Sequence, residues 1–259
     1  MASEKGASSW LTALPLKSFG YLLNKQEFTD AVALRYNFNI KDSAKKCVCG
    51  ELNTINHSLS CKKGGYVSLR HNSLRDTIAE IMQNSCRDVV IEPMLIPPTG
   101  EHLPRGTIMS NEARLDISAR SVWNPLERAF FDVRVFHAQA ASNRKLPIPK
   151  MYEKHEKQKK TAYNARVIQI EKGTFTPVVF STCGGMGKEA DKLFKKLAAK
   201  INVKTGQRYP DAISFIRKRV RFDLLKTTVI ALRGYRGKVQ VDQNESIDQL
   251  DLNLEPGTL

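Results

Sequence analysis

The sequence predicts an α/β fold: a mixed sheet flanked by helices, with a small metal-binding loop ahead of it and a helix behind it. Three observations lead there. Periodic segments run helix, strand, strand, strand, helix, strand between residues 68 and 182. Four potential metal ligands crowd into residues 47–61. The 259-residue chain is 41% hydrophobic and 26% charged, which suits one large domain with appendages and excludes a membrane or wholly disordered chain.

Residues 1–45 carry one predicted helix near Gln26–Tyr36, with Leu22, Phe28, Val32 and Leu34 as apolar anchors. Residues 46–66 hold Cys47, Cys49, His57 and Cys61, spaced C-x-C-x7-H-x3-C. Two cysteines two apart on an extended segment point the same way, and a histidine and cysteine four apart share one helical face. Gly50 permits the turn between the two halves. Three thiolates and one imidazole make a closed tetrahedral set for structural Zn2+. The alternative is two buried cysteines beside an unrelated histidine. Cys86 and Cys183 stand apart and read as core thiols. Lys62, Lys63, Gly64 and Gly65 form a basic exit that suits a phosphate backbone.

Residues 67–237 carry the sheet. Residues 68–84 read as a helix with Leu69, Leu74, Ile78, Ile81 and Met82 on one stripe. DVVIEPML is a short strand ending at Pro93, followed by a proline- and glycine-rich loop. EARLDISA and AFFDVRVF are two strands joined by a hairpin at WNPLE. A basic helix covers Met151 to Glu171, Gly173 ends it, and TPVVFST is the fourth strand. GGMG at Gly184–Gly187 opens the helix KEADKLFKKLAAKI; it serves equally as a phosphate-accepting helix start or a tight turn. A last helix spans Asp211 to Leu232.

The 41 Lys and Arg against 26 Asp and Glu give +15, which points to polyanionic partners, nucleic acid before anionic membrane. The charge is uneven. Residues 238–259 hold five acids and one base and read as a disordered tail, either simply solvated or masking the basic body. Residues 1–237 therefore carry +19. No apolar run reaches the ~18–20 residues of a membrane span. Lys17 interrupts the only N-terminal apolar stretch, so no secretory pattern is read and an intracellular location is expected.

Four charged residues sit where the pattern asks for apolar ones. Asp132 lies within AFFDVRVF, on the face of Phe130, Arg134 and Phe136. Asp116 lies between Leu115 and Ile117. Burying such acids is costly unless a cation or hydrogen bonds compensate. Either each acid pairs with an arginine such as Arg134, or the two converge on Mg2+ or Mn2+, which prefer oxygen ligands. The basic helix repeats the anomaly. Its inward stripe runs Tyr152, Glu156, Lys159, Tyr163, Val167, Ile170. Glu156 and Lys159 on that stripe mark a site or a helical ion pair, while Lys154, Lys157 and Lys160 face outward toward solvent or phosphate.

Taken together, CVCG…H…C, then Arg70–Asn72 (RHN), RLD, FFDVRV and a Tyr-x10-Tyr around Lys159 resemble the PD-(D/E)XK superfamily. More narrowly, they resemble the restriction-like endonuclease, with its preceding CCHC zinc knuckle, at the C-terminal end of certain non-LTR retrotransposon polyproteins. The resemblance covers residues 6–237 and implies a restriction-endonuclease-like αβββαβ core. It implies a DNA (or RNA) partner, a nuclear location and metal-dependent phosphodiester cleavage. Asp116 and Asp132, with the Val133 carbonyl, would hold the catalytic metal; Lys159 would stabilise the phosphate, and Glu156 would position Lys159 or complete the metal shell. Arg134 replaces the family's strand lysine and Leu115 its proline; arginine cannot be a general base but can stabilise phosphate charge. Lys159 is the candidate for a lysine migrated to the helix. Lys62, Lys63, Arg70, Lys154, Lys157 and Lys160 would contact nucleic acid. His71, as a cap, core or site residue, and Glu92, as a ligand or loop acid, are second-tier candidates. The competing expectation is a zinc-knuckle binding module without catalysis.

Overall fold

The computed structural model describes residues 4, 6–36, 38–41, 43–140, 143 and 145–234. The predicted acidic tail, 238–259, lies outside them. The elements are α1 (Lys25–Tyr36), α2 (Ile55–Ser60), α3 (Tyr66–Gln83), β1 (Arg87–Ile91), β2 (Ile117–Arg120), β3 (Arg128–Phe136), α4 (Ile148–Arg166), β4 (Thr174–Ser181), α5 (Lys188–Thr205) and α6 (Tyr209–Arg233). The four strands form one mixed sheet in the order β1-β2-β3-β4, antiparallel for the first two pairs and parallel for β3 with β4.

Strand alternation builds two cores. On one face Ile117, Ala119, Phe131, Val133, Val178 and Phe180 meet α3, α5 and α6. On the other, Phe130 and Phe175 pack with Tyr163 and Val167, and Phe136 and Val179 with Met151 and Tyr152. Helix α4 therefore covers the face that carries Asp132. The predicted stripe of α4 holds: Tyr152, Glu156 and Val167 are buried and Lys159, Tyr163 and Ile170 half-buried. Pro149 near the N-terminus of α4 fits a turn with no use for its missing N–H. A π-helical turn, Val167–Glu171, ends the helix, and Gly173 then passes so close to β3 that a Cβ there would lie 2.4 Å from the Arg128 carbonyl oxygen.

Three local expectations change. Leu69 is exposed, because α3 turns its Leu74–Ile78–Met82 side to the sheet. Leu22 and Phe28 are also exposed; α1 is held by Leu34 and by the buried Asp30, which takes two hydrogen bonds from Arg233 of α6. The second strand starts at Ile117, so Asp116 sits just before it. No helix among the described residues is long and apolar enough to cross a membrane.

Candidate active site and zinc loop

The cysteine cluster closes as its spacing predicts. The Cys47 amide donates to the Glu51 carbonyl and the Gly50 amide to the Cys47 carbonyl, with Gly50 at φ +95°, a turn that brings Cys49 back beside Cys47. Thr54 caps α2 by accepting the His57 amide, and Cys61 follows the helix directly. One ligand atom from each of Cys47, Cys49, His57 and Cys61 lies within 4.8 Å of every other. Cys47 Sγ and Cys61 Sγ are 3.9 Å apart, and Cys49 Sγ and His57 Nε2 3.3 Å. Sulfurs on a tetrahedral zinc stand ~3.8 Å apart, so the set is compatible with a zinc site. Partial burial works against ionising Cys47, but hydrogen bonds from the Cys49 amide, His57 and the neighbouring thiols lower it to about 6, toward the thiolate a metal requires. The loop is seated on the body. Leu59 packs with Leu34, Val229 and Leu232, and Asn56 Oδ1 lies 2.9 Å from Nε2 of the buried His137.

The acids gather at the centre of the sheet. Ile117 pairs with Phe131, so the register carried one step on sets Asp116 against Asp132 on the α4 face. Like charges directly opposite repel unless something intervenes. Two cations do. Lys159 Nζ lies 2.5 Å from Asp132 Oδ2, a charge contact off the hydrogen-bonding direction that leaves this buried oxygen without an aligned donor. His71 Nε2 lies 3.0 Å from Asp116 Oδ1, and the Val133 amide donates to Asp116 Oδ2. The acids respond oppositely. Burial raises the Asp132 carboxyl to about 6; Lys159 pulls it down, and Asp116 pushes it up. Burial also works to raise Asp116, but the hydrogen bond and charge of His71 hold it below the usual range. His71 is raised in turn by its bond to Asp116. Lys159 also stands 5.8 Å over the Tyr163 ring, a cation–π contact.

The structure thus brings together Asp116, Asp132, Lys159 and the second-tier His71. It does not place every candidate with them. Glu156 turns the other way: its Oε1 accepts the Glu189 amide at the start of α5, and a Cβ on Gly187 would lie 2.2 Å from it. No hydrogen bond or ion pair among the described residues joins it to Asp116, Asp132 or Lys159, and it occupies an amide at the α5 N-terminus that the GGMG turn offered to a phosphate. Arg134 makes no hydrogen bond or ion pair among the described residues; its charge is felt by His155, whose ionisation burial and Arg134 together lower to about 4. Arg70 is 2% exposed and donates to the Leu59 carbonyl, so it holds the zinc loop and cannot reach nucleic acid. Glu92 donates its amide to the Asp116 carbonyl, but its carboxylate pairs with Arg75. Lys62, Lys63, Lys157 and Lys160 are exposed and Lys154 half-buried; Lys160 is paired with Glu189 at 2.6 Å.

Two arginines escaped sequence reasoning. Arg75, one turn beyond His71, bridges Asp76 and Glu92 at the rim of the site. Arg166 is wholly buried and donates to the carbonyls of Ile96, Ile108 and Ser110, tying down the long β1–β2 loop. The only sequence signal for Arg166 was its place between Tyr163 and Val167 on the inward side of α4. No protein-family model matches the chain, and no curated protein matches it.

Proposed function

We propose that this protein is a metal-dependent DNA endonuclease with a restriction-endonuclease-like core, derived from a retrotransposon and acting in the nucleus. The observation that carries the reading is the convergence of Asp116, Asp132 and Lys159 on one face of the sheet, with Asp132 Oδ2 buried and short of an aligned partner. Two facing carboxylates, one of them held only by the Lys159 charge, fit a divalent cation, and Asp116 and Asp132 would hold Mg2+ or Mn2+. Such an ion activates water and neutralises the scissile phosphate. His71 fixes the Asp116 carboxylate and keeps it ionised. Lys159, released from its contact with Asp132, offsets the charge that grows on the phosphate. The Cys3His loop, with zinc, is a folded appendage beside the site.

The test is nicking of supercoiled plasmid with added Mg2+ or Mn2+. Wild type is expected to nick and Asp132→Ala to leave the plasmid intact. Equal nicking by both, or none by wild type, overturns the assignment. A second reading, a zinc-loop binding module without catalysis, is favoured by arginine at position 134 and by Lys159 already neutralising Asp132. It is the outcome if salt-dependent DNA binding survives Asp132→Ala and no cleavage occurs.

A further inference from the structure

Helix α5 carries two sets of lysines with different surroundings. Lys188, Lys192 and Lys195 lie within ion-pair distance of Glu153, Glu189 and Asp191 respectively, so their charge is compensated locally. Lys196, Lys200 and Lys204 have no ion-pair partner among the described residues. These three stand at steps of four, about 6 Å apart along the axis on one side of the helix. They line a concavity of about 630 Å³ whose other wall is the start of β1 and the β2–β3 hairpin loop. Arg87 adds a fourth cation, also without an ion-pair partner among the described residues, and no acid lines the hollow. The nearby acids are turned elsewhere: Asp88 pairs with Arg120, and Glu127 accepts from Asn124.

Two more arginines stand at the same end of the sheet, on its α4 face and outside the hollow. Arg87 stands opposite Arg120, and Arg120 opposite Arg128, a row of three arginines across three strands. Like charges in directly opposing positions cost stability when no anion lies between them. Asp88 answers only Arg120, and Arg128 finds only the Ser118 hydroxyl. Apolar surface completes the hollow. Leu126, at its rim, is 91% exposed, and Trp123 forms part of its wall.

We propose that this hollow binds single-stranded nucleic acid. The lysine row tracks successive phosphates, and Trp123 and Leu126 offer apolar surface to unstacked bases. Bases of a single strand expose the faces that Trp123 and Leu126 can cover, whereas a duplex keeps them stacked. The site is separate from the carboxylate cluster and does not depend on cleavage there.

The experiment measures anisotropy of a labelled oligothymidylate and of a matched duplex against salt. The buffer contains no Mg2+, Mn2+ or chelator, so nothing is cut and the zinc loop stays loaded. The full chain is compared with the triple variant Lys196→Gln, Lys200→Gln, Lys204→Gln. An equal-charge control carries Lys188→Gln, Lys192→Gln and Lys195→Gln. The first triple variant is expected to bind the single strand roughly tenfold or more weakly at low salt, with a salt slope smaller by about 2. The control and the duplex should change much less, and arginine at the same three positions should restore single-strand binding. These lysines lie outside the buried Leu193–Leu197–Ile201 stripe, and unchanged thermal melts check that the fold is intact. Unchanged single-strand affinity and slope, an equal loss in the control, or an equal loss of duplex binding overturns the assignment.

Discussion

The zinc loop and the acid cluster are both small sets of charged or ligating side chains, but they are assembled differently. The loop takes all four ligands from fifteen consecutive residues, and a turn and a six-residue helix suffice to orient them. The acid cluster draws on α3, the residue just before β2, the middle of β3 and α4, with 87 residues between His71 and Lys159. The first is held together by local geometry and the metal it would bind. The second exists only when the sheet register sets two acids against each other and α4 lies across them. The loop should therefore be lost by removing metal, and the cluster by changes that alter charge or packing in the body.

The largest expected effect separates the two chemically. Asp132→Ala or Asp116→Ala should abolish Mg2+-dependent plasmid nicking while zinc content, measured by mass spectrometry, stays at one ion per chain. Loss of zinc in either variant would show that the two regions are coupled. Next, Cys49→Ser or a zinc chelator should release the ion and expose the loop to limited proteolysis around Leu52–Cys61. The sheet should remain folded by far-UV circular dichroism; its collapse would show that α2, through Asn56 and His137, is part of the core.

Smaller effects probe the buried arginines. Arg166→Ala leaves three loop carbonyls without their donor and should cost about 3 kcal/mol or more in urea unfolding, at ~1–3 kcal/mol for each acceptor that stays buried and unpaired. Arg70→Ala should cost less, since one bond to Leu59 is lost, and it should leave the salt slope of DNA binding unchanged. A reduced slope would return Arg70 to the nucleic-acid surface. The smallest effect is on pH dependence. His155 has a folded value near 4, below that of an unfolded histidine, so its contribution is present above ~6.5 and is lost as pH falls toward 4. His155→Phe, which keeps the ring contact with Phe136, should flatten the decline of melting temperature over that window. An unchanged decline would assign it to other groups.

Much of the fold was legible in residue pattern. Period-two alternation in AFFDVRVF separated the two faces of β3, and the α4 stripe marked which helix would cover Asp132. The stripe could not say which way a charged member would point. Glu156 and Lys159 are three apart on one helical side, yet Lys159 reaches the sheet and Glu156 caps α5. The neighbour that each meets comes from distant chain. Exposure of Leu69 and burial of Arg70 follow the same logic, because the side of α3 that faces inward is chosen by α6 and the zinc loop together.

Sequence by itself determined what local geometry dictates: the Cys3His set, the order of elements, the alternation of the strands and the basic excess. Tertiary structure decided what depends on register and contact. It set Asp116 against Asp132, brought His71 to them from α3, withdrew Glu156 and Arg70 from the surfaces expected of them, and left Lys196, Lys200 and Lys204 without acids. The physical reason is range. Ligand spacing and helical period act within a few residues, whereas burial and charge pairing depend on partners that only the folded chain brings within a few ångströms.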